Sequence, residues 1–393
     1  MADVEQELQA ALAGHIAAGE MPGLVALIHQ DGDTHATAIG RRSLGGAPMT
    51  RDTIFRIASL TKLVTASLAM MLVEDGLIAL DDPIDPWIPE LAGRRVLTSI
   101  DSALDDTVPA VRPISLRDLL TQRFGLGAIM VWPSRYPIQH AMEEAGVAPG
   151  PDVFGGSAQE YLDRLARLPL AHQPGDGWLY DTGMHVAGIL LARVAGSDLG
   201  TLMQERLFQP LGMVDTGFHI PIGNLDRLAT FYRKDFDTGS LVIHDDAGHF
   251  AARPDFESGS AGLVSTVDDY LRFLRMLLED GRHEDQRLLS PASVAEMTRD
   301  QLTPEQRDGA RIFLEGRWGW GLGMAVALKQ GALGHRSGSF GWNGGYGTTA
   351  YVDPSRRLVG ILFTQRMMDS PDMPPHFRDF WKSAYRLSDD RSR

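Results

Sequence analysis

The sequence predicts an α+β fold: an antiparallel sheet built from both ends of the chain, flanked by helices and interrupted by a mainly helical insert. Three observations carry this. Near the amino end, Gly23-Leu-Val-Ala-Leu-Ile-His29 is rich in strand formers, Asp31-Gly32-Asp33 is a turn signal, and Thr34 to Gly40 returns as a second strand. Near the carboxyl end, Gly347 to Asp353, the turn Pro354-Ser-Arg-Arg357 and Leu358 to Gln365 read as strand, turn and strand, with a closing helix from about Pro375 to Leu387. Between the ends lie helical patterns at Leu60–Glu74, Ser115–Leu120, Ala158–Leu168, His185–Ala195, Leu199–Phe208, Thr266–Glu279 and Ser290–Asp300. Residues 1–58 and 255–393 are therefore expected to form the sheet domain and 59–254 the helical one, with the active site at their junction. Ala148 to Gly156, rich in Pro and Gly, reads as an exposed loop.

Composition narrows the function. The chain has 393 residues, 44% hydrophobic and 22% charged, enough to bury a large core. A net charge of −14 argues against a nucleic-acid partner, which would draw on clustered Lys and Arg. There is no cysteine, which removes disulfides, thiolate metal sites and thiol nucleophiles. The acidic start Met1-Ala-Asp-Val-Glu lacks the features of a secretory signal, so the cytoplasm is the default expectation. The apolar run Leu63–Val73 falls short of the ~20 residues a membrane span needs, and no membrane partner is expected. Oligomeric state is left open.

Acyl-group hydrolysis requires a nucleophile, a base within reach and donors aimed at the developing oxyanion. The Gly-x-Ser-x-Gly elbow is absent, as is His-Glu-x-x-His or any other metal-ligand spacing among the histidines, so no metal or organic cofactor is expected. Phe55-Arg-Ile-Ala-Ser59-Leu-Thr-Lys62 does occur, running into an apolar helix that ends near Asp75-Gly76. Ser59 and Lys62, three apart at a helix start, face the same way, and the helix N-terminus favours an alkoxide while disfavouring an ammonium. Taken alone the spacing is weak, since a serine at a helix start is ordinarily only a cap.

In this context the chain resembles, over nearly its whole length, the serine β-lactamase-like and penicillin-binding-protein family, which includes class C β-lactamases, DD-peptidases and family VIII carboxylesterases. Ser59-Leu-Thr-Lys62 is similar to the family's first motif, followed in register by Asp75-Gly-Leu-Ile-Ala-Leu-Asp-Asp-Pro83. Further landmarks are Leu119–Gly127, Pro210–Phe218 and Ser260–Tyr270. The second motif, Tyr-x-Asn, is matched by Tyr180-Asp181-Thr182, and the resemblance gives Tyr180 the proton-accepting role. A cationic Lys62 nearby would stabilise its phenolate. Which of Lys62 and Tyr180 holds the proton at rest stays open.

Two departures from the family pattern bear on substrate. Thr182 stands where β-lactamases and DD-peptidases place Asn, and has no amide to hold a lactam or peptide carbonyl. The third motif aligns with Trp342-Asn343-Gly344, similar to the Trp-Gly-Gly of the family's esterases; Trp342 cannot grip a substrate carboxylate as a cation would. The expected oxyanion hole is the backbone N–H of Ser59 with that of Gly345, and Trp132 and Tyr136 are expected to shape the acyl pocket. His335 is read as structural, and Trp318–Gly323 as the start of a strand. The reading is a serine carboxylesterase acting on small-molecule, short-chain acyl esters through an acyl-enzyme. The alternatives are a β-lactamase, a D-aminopeptidase or DD-peptidase, an acyltransferase with the same residues, or a non-catalytic protein that binds acylated ligands.

Overall fold

The computed structural model describes residues 2–150, 152–246 and 248–391. Strand β1 (Gly23–Gln30) turns through Asp31 and Gly32, both at positive φ, into β2 (Asp33–Gly40), the backbone twist that two-residue hairpins favour. At the other end, Trp318–Trp320, Ala325–Ala327, Phe340–Gly344, Thr348–Asp353 and Leu358–Thr364 follow one another as an antiparallel meander. The last of these pairs with β1, Leu27 opposite Ile361, so the amino-terminal hairpin completes a seven-stranded sheet begun by the carboxyl-terminal third.

All eight residues of β1 are buried because both faces of the sheet are covered. Side chains alternate. Leu24, Ala26 and Ile28 pack with Leu8 and Leu12 of helix α1 (Ala2–Ala17) and with Phe377 and Trp381 of the Pro375–Arg391 helix. Val25 and Leu27 face the main core, which runs without a break from the sheet through helix α2 (Thr61–Glu74) into the insert. Helix α1 is not among the helices expected from the sequence. Its apolar residues at positions 4, 8 and 12 recur every four and lie on one face.

Twelve of the fourteen residues of α2 are buried, so its polar side chains need internal partners. Thr65 Oγ1 donates to Gly259 O at 2.7 Å and Ser67 Oγ to Leu63 O at 2.9 Å. The expected Leu199–Phe208 helix is α-helical only to Met203 and then widens into a π turn over Gln204–Phe208. His335 is buried among the rings of Trp318, Tyr351, Trp381 and Tyr385, and burial pushes it down to about 4, in keeping with a structural role. Among the described residues no single helix is long and apolar enough to cross a membrane.

Candidate active site

Ser59 lies on a 3-10 turn, Ala58–Leu60, that leads directly into α2. Ala58 is held at φ +44°, a region that non-glycine residues rarely occupy, so the turn carries strain. Its neighbours press close enough to hold it. Thr348 Oγ1 donates to Ile57 O at 3.1 Å, and a Cβ at Gly344 would stand 2.7 Å from that same carbonyl. The end of the Phe340–Gly344 strand therefore packs against the serine turn, and only glycine permits that approach.

One turn into α2, Lys62 is fully buried, at 0% exposure. Its Nζ donates to Ser59 Oγ at 3.0 Å, Asp181 Oδ1 at 2.8 Å and Ser260 O at 3.1 Å. An ammonium has three donors, and all three are used. Burial alone would pull the lysine down, but the Asp181 carboxylate and Tyr180 outweigh it and hold it above its ordinary value. The helix N-terminus, expected to disfavour the ammonium, is overridden by this counter-ion.

Asp181 is itself over-determined. It sits at φ +86°, ψ −63°, and Thr182 N–H donates back to Tyr180 O at 3.3 Å, closing the rare, strained form of the γ-turn. Its N–H donates to Gln122 Oε1 at 3.0 Å, Ser260 Oγ donates to Oδ1, and His185 Nε2 lies 3.1 Å from Oδ2. Burial would raise this carboxyl, but Lys62 and His185 drive it far below the usual carboxylate range. Ser258 Oγ, 2.9 Å from His185 Nδ1, extends the network.

The same turn places Tyr180 beside Lys62 and on the cavity that Ser59 also lines. Lys62 Nζ stands 4.4 Å from the centre of its ring, and Trp342 Nε1 donates to its hydroxyl oxygen at 2.5 Å. Phe313, Trp178 and Trp320 enclose the ring, and Trp320 meets Trp342 edge-on at 4.8 Å. Ser59, Tyr180, Trp342, Asn343 and Gly345 open onto one cavity of about 350 Å³. A Cβ at Gly345 would meet nothing within 4 Å, so the backbone there is open to a ligand. Asn343 Oδ1 has no hydrogen-bond partner among the described residues. The remaining wall is largely apolar, with Met130, Phe313, Tyr346, Met367 and Met368, and holds no Lys or Arg among the described residues.

The sequence matches the Beta-lactamase family over residues 3–379. The chain belongs to the β-lactamase family. It is 40% identical over 363 residues to Protein Rv1367c of Mycobacterium tuberculosis, covering 90% of this chain and 88% of that one. It is 32% identical over 358 residues to the lovastatin esterase of Penicillium rubens, covering 84% and 85%. The solved structure of EstCE1, described as a hydrolase with promiscuous acyltransferase activity, superposes with a TM-score of 0.80 at 25% identity, covering 97% of this chain and 98% of that one. With this fold and these relatives, the protein is a serine hydrolase of the ester type.

Within this β-lactamase-family frame the structure does not bring every expected residue to the cavity. Thr182 is 1% exposed, inside the first turn of the Thr182–Ala195 helix and away from the cavity wall. Trp132 is 90% exposed beside a cis bond to Pro133 and does not line this cavity. Tyr136 precedes the Pro137–Glu144 helix and packs against the core instead. Gly344 acts through the close approach to Ile57 rather than on the cavity surface. Asp181 stands in the sequence only as the spacer of the second motif. An acidic residue before a helix reads as a cap, yet here its side chain makes no cap bond and turns to Lys62.

Proposed function

We propose that this chain is a serine carboxylesterase that cleaves short-chain acyl esters through an acyl-enzyme on Ser59. The observation that carries the reading is the saturated ammonium of Lys62. With three acceptors around Nζ it has no lone pair to offer, so the proton of Ser59 passes to the Tyr180 oxygen. The Trp342 N–H and the Lys62 charge both stabilise negative charge on that oxygen.

Ser59 Oγ attacks the ester carbonyl carbon as Tyr180, acting as the phenolate, takes its proton, and the carbonyl oxygen becomes an oxyanion held by the backbone N–H groups of Ser59 and Gly345. Tyr180 then protonates the departing alkoxide as the C–O bond breaks, leaving the acyl group on Ser59. Water enters, gives its proton to Tyr180 and attacks the acyl carbon. Tyr180 returns a proton to Ser59 as the carboxylic acid departs.

The wall of the cavity supports an ester over a penicillin or a peptide terminus. Those substrates carry a carboxylate, and the lining offers no cation to receive it while Glu315 would repel it. Hydrolysis of p-nitrophenyl butyrate is expected to exceed that of a chromogenic cephalosporin by at least about a hundredfold in kcat/KM, the worth of one missing charge-assisted contact or two. Comparable rates on the two would overturn the reading. A second outcome, acyl transfer to an alcohol, is favoured by the apolar lining and by the activity named for EstCE1. It would appear as butyrate ester formed when a primary alcohol is added.

Asp181 is read as a positioning residue that keeps Lys62 charged. In Asp181→Asn the buried lysine loses its counter-ion, and stability is expected to fall by about 3 kcal/mol. A raised lysine contributes fully below its ordinary value and loses that contribution only as pH rises through its higher folded one. The wild type should therefore keep its activity into alkaline solution, whereas in the variant burial is opposed only by Tyr180 and the alkaline limb of the kcat profile moves toward neutrality. An unmoved limb would mean that Asp181 only supports the fold.

A further inference from the structure

On the far side of the sheet from Ser59, the end of α1 meets the start of the Pro375–Arg391 helix. His376, the second residue of that helix, is 2% exposed, and among the described residues neither of its ring nitrogens has a hydrogen-bond partner. An imidazole left in this way forfeits its solvation with nothing in return, so it calls for an explanation. Its Nδ1 points at Glu20 Oε2, 3.7 Å away and beyond hydrogen-bond length, and the same oxygen lies 2.9 Å from His15 Nδ1.

We propose that His15, Glu20 and His376 bind a zinc(II) ion that ties the two ends of the chain together. Ligand atoms of His15, Glu20 and His376 all lie within 4.8 Å of one another. Around tetrahedral zinc, with bonds of about 2.0–2.2 Å, neighbouring ligand atoms stand about 3.3 Å apart. The two contacts to Glu20 bracket that separation, so side-chain adjustments of well under 1 Å are needed along those edges. Two imidazoles and a carboxylate, with water in the fourth position, form a borderline donor set that suits zinc better than calcium or magnesium.

Two neighbours fit a bound cation. His15 Nε2 lies 3.1 Å from Asp379 Oδ2, so when Nδ1 ligates, the other nitrogen donates to a carboxylate, as metal-bound histidines commonly do. His376 has both ring nitrogens unpaired among the described residues, so either one is open to a metal. The Arg366 charge is met by Asp369, at 2.7 and 2.9 Å. The bridge from His15 to Glu20 and Asp379 would explain His15 without metal, but it would leave His376 without a partner among the described residues.

The bond would also fix the chain that borders the reaction cavity. Met367, Met368, Ser370, Pro371 and Met373 line that cavity and lead straight into His376. The full chain, made without a polyhistidine tag and stripped with a chelator, is titrated with zinc by calorimetry. A single saturable site per chain is expected, with a rise in melting temperature of about 3 °C at a free zinc concentration a hundredfold above Kd. Glu20→Gln, at the half-exposed rim, and His376→Gln, which tests the buried ligand, are each expected to weaken binding at least about tenfold. If His376→Gln does not fold, Glu20→Gln decides alone. Absence of saturable binding, or wild-type affinity in Glu20→Gln, overturns the proposal.

Discussion

Replacing Ser59 by alanine is expected to lower kcat for p-nitrophenyl butyrate by about 10⁴-fold or more, since removal of a nucleophile leaves only the oxyanion donors and binding to act. The change deletes a single oxygen. Lys62 keeps its bonds to Asp181 and Ser260, so the ion pair and the fold should survive. Intact-protein mass spectrometry after exposure to a fluorophosphonate separates this from unfolding: the wild type should gain a single adduct and the variant none. Equal labelling of the two proteins would remove Ser59 from the mechanism, whatever happened to the ester assay.

The second large effect concerns Tyr180. Tyr180→Phe keeps the ring among Trp178, Phe313 and Trp320 and removes only the oxygen, so the packing should hold while kcat falls by about 10³-fold, the usual reach of general acid–base catalysis. Trp342→Phe removes the N–H that reaches that oxygen and should cost less, about ten- to a hundredfold, with KM nearly unchanged for a small ester. Near-wild-type turnover in Tyr180→Phe would return the role of base to Lys62. That result would require the lysine to shed a proton that the Asp181 carboxylate is placed to retain.

The parts of this architecture that were legible beforehand are those written in short-range pattern. The hairpin at Asp31-Gly32 follows from turn chemistry, and α2 from an apolar stretch closed by Gly76 at positive φ. Ser59 and Lys62 face one way because residues three apart on a helix must. What could not be seen depends on backbone conformation or on distant closure. Asp181 matters because a strained turn swings its carboxylate inward, and no local propensity announces a γ-turn. Thr182 is carried into the helix interior by that same turn, away from the position an aligned Asn would suggest. Trp132 is expected at the pocket because it follows Gly127 on the segment that, by resemblance, forms a loop over the cleft, but position on a loop does not set which way a ring turns, and this one is exposed. The His15, Glu20 and His376 group lies at opposite ends of the sequence, where ligand spacing gives no signal until the sheet has formed.

That closure has a consequence during synthesis. Leu27 pairs with Ile361, so β1 leaves the ribosome long before the strand that completes it exists. At about 5–20 residues per second the interval is roughly 20 to 60 s. Throughout it, the adhesive segment Gly23–Gln30 has only its hairpin partner, Asp33–Gly40, to occupy one edge. Until that strand arrives, the other edge of Gly23–Gln30 is open to pairing with the same edge of a neighbouring polysome product.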